Sequence, residues 1–131
     1  MGSVILKVLV GAVIYLLVGV LYFYVHDIGV VYYKSHVGFT DRGPAIGGTA
    51  ELTFYFFIFA NLIVFFMPKV MLKLLVIAVM LSVVLFYFLP DNPVRAFAYG
   101  GLTTSMSVLA FVLRLTINRW LSRNSYGRVT R

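Results

Sequence analysis

Four stretches without a charged residue dominate this chain: Val8–Val25, Leu52–Pro68, Leu74–Pro90 and Ala96–Leu113, each 17 or 18 residues long. As helices rising about 1.5 Å per residue they would each span roughly 26 Å, and flanking residues extend them to the ~30 Å hydrocarbon core of a bilayer. In lipid a backbone must satisfy its own N–H and C=O groups, so such segments cross as helices. Only 11% of the 131 residues are charged and 62% are hydrophobic, whereas a soluble domain carries about 25% charge. So little polar surface cannot cover a soluble body of this size. The chain therefore reads as an all-α membrane protein, a single compact bundle of four transmembrane helices. The expected spans are approximately 6–26, 51–68, 72–90 and 95–115, with an outer loop 26–51 and a basic tail 114–131.

The first stretch is read as a retained span. Lys7 precedes it as a signal peptide would require, but Tyr22, Phe23, Tyr24, Val25 and His26 stand where a small-residue cleavage site belongs. Met1-Gly2-Ser3 is not read as a myristoylation signal, because position 6 is Leu6. The absence of cysteine removes thiol chemistry and disulfides.

Four spans put both termini on one side. Lys7, Lys69, Lys73, Arg114, Arg119, Arg123, Arg128 and Arg131 fall on that side, against Lys34, Arg42 and Arg95 on the other. The side rich in Lys and Arg is expected to be cytoplasmic, which fits a multi-pass protein of a bacterial inner membrane. Lys69, Lys73, Arg114, Arg119, Trp120 and Arg123 are the expected interface and topology residues. The net charge of +7 then needs no nucleic acid, since basic residues near anionic lipid gain about 1 kcal/mol each. The bilayer itself is the first expected partner.

Within this frame the polar residues are few. His26-Asp27-Ile28-Gly29 matches the His-Asp signature of metal-dependent phosphohydrolases, but those enzymes need further His and Asp ligands, one upstream. The chain has only His26 and His36, so that ligand set cannot be assembled. The two histidines are ten residues apart, which is not a helical-face spacing, and no metal, haem or other cofactor is expected. Span 4 holds Thr and Ser without a His or acid beside them, so no catalytic residue is assigned.

Glycine-rich loops of such length are usually functional or disordered, and this one carries His26, Asp27, Tyr32, Tyr33, His36, Asp41, Arg42 and Glu51 as candidate interaction residues. Part of it is expected to continue the helix of span 1 or to lie along the interface. Asn61, in the middle of span 2, should face the bundle interior, because an unpaired amide in lipid is costly. Glu51 lies ten residues before it, close to three turns, and so projects from broadly the same side. The pair is a candidate polar path, while the simpler expectation is that Asn61 ties two helices and Glu51 meets water. Small residues at four-residue spacing allow close helix packing: Ala96, Gly100 and Thr104, the pair Gly101 and Ser105, and, eight apart, Gly11 and Gly19.

These features favour a non-enzymatic protein that binds another membrane component, as an accessory or assembly subunit or an immunity-type inhibitor. The outer loop and the phenylalanine-rich span 2 would form its contact surface. The alternative is a small transporter, channel or lipid flippase built by self-association.

Overall fold

The computed structural model describes residues 2–36 and 46–126, and these are almost wholly helical. The helices are α1 (Gly2–His36), α2 (Ile46–Phe66), α3 (Val70–Phe88) and α4 (Pro93–Tyr126). Among the described residues, all four helices are long and apolar enough to cross a membrane, and the protein is accordingly a multi-pass membrane protein.

Helices α1 and α4 run past the expected spans 6–26 and 95–115, and for α1 this is the expected continuation of the span-1 helix into the loop. The expected outer loop 26–51 is helical through His36 and again from Ile46. Asp27, Lys34 and His36 end the uncharged run, but hydrocarbon and helix need not end together. Neither proline nor a glycine pair interrupts Ile28–Tyr33, and a single glycine such as Gly29 is tolerated at a cost of about 1 kcal/mol. The basic tail is likewise helical as far as Tyr126. Helices α1 and α4, with 35 and 34 residues, are thus about 50 Å long and outreach the ~30 Å hydrocarbon core. Helices α2 and α3 are close to the expected spans 51–68 and 72–90.

The turns follow local chemistry. Between α2 and α3, Pro68 lacks an N–H and Lys69 adopts an extended conformation (φ −96°, ψ 135°) before α3 begins. Between α3 and α4, Asn92 caps α4: its Oδ1 accepts the Arg95 N–H at 3.1 Å, and Pro93 occupies the first helical position, where a missing N–H costs nothing.

Helix α4 packs against the other three, and α3 lies between α4 and α2. The main core comprises Ile14, Val18 and Tyr22 of α1, Phe57, Ala60 and Val64 of α2, Ile77 and Met80 of α3, and Met106 and Ala110 of α4. A smaller cluster of Val84, Phe88, Ala96 and Tyr99 closes the end away from the termini. The α1–α2 seam is different. These helices approach less closely, and rings fill the gap: Tyr22 on Phe57 (4.6 Å between centroids), Phe23 on Phe54 (4.1 Å) and Tyr15 edge-on to Phe65 (5.6 Å). Large side chains can bridge a separation that small ones leave empty, at roughly 0.5–1.5 kcal/mol per ring pair beyond area burial.

Candidate functional site

At the centre of the bundle, Asn61 is 4% exposed. Its Nδ2 donates to the Phe57 carbonyl at 2.8 Å and to Ser107 Oγ on α4 at 2.9 Å. Ser107 in turn points its hydroxyl at Met80 Sδ of α3, 4.0 Å away. One amide therefore joins α2 to α4 where water cannot compete, and Ser107, not singled out by the sequence, is its partner. The Oδ1 of Asn61 is buried without a hydrogen bond among the described residues.

Glu51 does not join it. The carboxylate stands on the exposed face and accepts the Tyr55 hydroxyl at 3.1 Å. Ten residues make about 2.8 turns, leaving the two side chains roughly 80° apart around the helix. Glu51 and Asn61 are thus not brought together: one meets the exposed side and the other ties two helices.

The polar residues at the end away from the termini draw α1, α4 and α2 together. His26 Nε2 and the Tyr99 hydroxyl share a hydrogen bond of 3.1 Å, with the two rings stacked at 5.8 Å. The Tyr99 hydroxyl also reaches Thr49 of α2, and its ring stacks on Phe88 of α3. Asp27 is exposed, with Oδ1 3.3 Å from His26 Nδ1. Higher up, Asn92 Nδ2 donates to the Tyr33 hydroxyl at 3.4 Å. His26, Tyr33, Arg95 and Tyr99 line a pocket of about 180 Å³ between α1 and α4. The span reading put His26 where water begins. It is also part of the α1–α4 contact, through Tyr99. Tyr32 and His36 stack on each other at 4.2 Å on the exposed side of the same helix, about 9 and 15 Å of helix away from His26. Asp41 and Arg42 lie outside the described residues. Among the described residues no three His, Asp or Glu side chains gather as metal ligands.

The small residues divide into two groups. Gly11 packs tightly: a methyl there would lie 3.0 Å from Arg114 Nε and 3.1 Å from Phe65 Cε2. Gly100 faces α3, against Leu81 and Leu85, and Ala96 is fully buried. By contrast, a methyl at Gly19 or Gly101 would meet nothing within 4 Å. Thr104, Gly101 and Ser105 border a shallow concavity on the α3–α4 side.

Gly19 is recessed because the α1–α2 seam opens there. A cleft of about 420 Å³ runs between Ala12–Phe23 of α1 and Phe54–Phe66 of α2, with Asn61 among its lining residues. Around it Leu16, Val20, Phe23 and Leu62 are exposed apolar side chains. At the other end, Arg114 Nη1 donates to the Phe65 carbonyl at 2.8 Å and its guanidinium lies 4.0 Å over the Phe65 ring. Lys7 Nζ donates to Ser122 Oγ at 3.0 Å, and Trp120 is exposed beside Arg119 and Arg123. The chain matches no protein-family model, no curated protein and no solved structure.

Proposed function

We propose that this protein is a non-enzymatic membrane protein that works by binding another membrane protein, as an accessory or assembly subunit or an immunity-type inhibitor, through the open seam between α1 and α2. The observation that carries the reading is the cleft of about 420 Å³ at membrane depth, framed by exposed aromatic and aliphatic side chains. Transmembrane helices associate through close packing and occasional polar contacts. The recess at Gly19 offers room for the first, and the buried Oδ1 of Asn61 beside the cleft is an acceptor still lacking a donor among the described residues. The polar groups inside the bundle tie helix to helix, and this favours a rigid binding body over a conducting path. The excess of Lys and Arg toward the termini supports cytoplasmic termini in a bacterial inner membrane.

A photo-crosslinking residue at Leu62, on the rim of the cleft, tests the reading in living cells. The expected adduct carries the mass of a second membrane protein, while the same probe at Val79, exposed on α3, gives none. Adducts equally frequent at both sites would show that the seam has no special role.

A second reading, a homo-oligomeric transporter, channel or flippase, draws on the concavity beside Gly101 and Ser105, where nothing obstructs a second helix. Adducts of the chain with itself from probes on that face would favour it.

A further inference from the structure

The end of the bundle that carries the termini holds a second cavity, of about 320 Å³, under the α2–α3 connection. Its walls come from three helices: Phe65 and Phe66 of α2, with Met67 and Pro68 following, Lys73 of α3, and Phe111, Arg114, Leu115 and Asn118 of α4. Two cations thus share one cavity. Arg114 is fixed, with one N–H on the Phe65 carbonyl and its plane on the Phe65 ring, and the missing side chain at Gly11 makes room for it. Lys73 is half-buried, its ammonium 5.8 Å from the centre of the Phe111 ring.

Among the described residues no carboxylate side chain is near to balance them. Asp27, Glu51 and Asp91 belong to the opposite end of the bundle, and Asp41 lies outside the described residues. Two like charges within one partly desolvated cavity repel, and they are stabilised when an anion enters between them. Asn118 lines the same cavity, and the Nδ2 of its amide is a donor of the kind a phosphate oxygen accepts. Beside this polar floor stand apolar walls, with Phe66 largely exposed on the membrane side. Charged floor and apolar flank together match a molecule with an anionic head and a hydrocarbon tail. A free phosphate would use only the floor.

We propose that the cavity bounded by Lys73, Arg114 and Asn118 is a specific site for the phosphate headgroup of an anionic phospholipid, with an acyl chain lying along Phe66 and its neighbours. The floor of Lys73, Arg114 and Asn118 lies outside the α1–α2 cleft, whereas Phe65 and Phe66 border both. Basic pockets between transmembrane helices take lipid headgroups in this way.

The full chain in detergent, titrated with phosphatidylglycerol and followed by native mass spectrometry, provides the test. Lys73→Gln should weaken retention of the lipid about tenfold or more, as loss of a direct charge-assisted contact with the headgroup implies, and Lys73→Arg should restore it. Lys69→Gln removes the same charge from the same connection but outside the cavity, and should change retention less than about twofold. Phosphatidylcholine and inorganic phosphate serve as further arms, and both should bind weakly. Helix content by circular dichroism separates lost binding from lost fold. Equal losses for the Lys69 and Lys73 variants would reduce the effect to diffuse surface attraction and overturn the site. Inorganic phosphate protecting as well as the lipid would overturn the assignment to a lipid.

Discussion

Asn61 and Ser107 illustrate what a polar residue does inside this bundle. Their hydrogen bond of 2.9 Å spans from α2 to α4, and in a membrane such bonds contribute on average about 0.6 kcal/mol and at most about 2. The unfolded helices can find other partners within the bilayer, which keeps the value small. Asn61→Leu and Ser107→Ala are each expected to destabilise the protein by that order, and the double variant by less than the sum. Reversible unfolding in mixed micelles, run as a double-mutant cycle, measures the coupling; a coupling near zero would remove the bond as a source of stability. That Asn61 faces inward was legible in the sequence, since an amide at mid-span has nowhere else to go. Its partner was not, because four hydroxyl residues of span 4, Thr103, Thr104, Ser105 and Ser107, were equivalent as letters, and only the rotation of α4 decides which one meets Asn61. The same limit hid the contact between His26 and Tyr99, which lie 73 positions apart in the chain.

At the scale of elements, α1 makes the instructive case. Gly11 and Gly19 lie on nearly one face of the helix, and eight-residue spacing alone predicts the same role for both. Their roles differ in what faces each of them. Gly11 is held against Arg114 and Phe65, whereas Gly19 opens on the cleft. Gly11→Ala should therefore force Arg114 and Phe65 to move, at a cost of about 1–3 kcal/mol for overpacking. Gly19→Ala should be neutral or stabilise by about 0.5–1 kcal/mol, the ordinary gain of replacing glycine within a helix. Unfolding free energies of the two variants, measured side by side, check the contrast. Equal effects would mean that the seam is uniform. The length of α1 was less legible than its existence. Hydropathy locates where a helix leaves the hydrocarbon, and between Asp27 and His36 the polar residues gave that signal while the backbone continued unbroken.

For the whole molecule, the four spans were legible because lipid leaves a backbone few options, and the charge pattern gave an expected orientation. The asymmetry of the bundle was not. Helix α4 takes the central place, α1 and α2 are bridged by rings, and one side is left open. The many phenylalanines of span 2 were expected to face lipid or a partner. Phe54, Phe57 and Phe65 instead reach across to α1, while Phe59 and Phe66 remain exposed. On the proposed reading, function turns on what occupies the open side.

The most direct measurement is affinity purification of the tagged full chain from its native host in mild detergent, with masses taken of everything retained, for the wild type and for Gly19→Phe. A ring at position 19 has space to enter the cleft, since an added Cβ there meets nothing within 4 Å, so the variant should fold and fill the seam. The expected result is a distinct membrane protein retained at fixed ratio by the wild type and lost from the variant. A clean homo-oligomer, unchanged by Gly19→Phe, would contradict the partner-binding account and direct attention to transport through self-association.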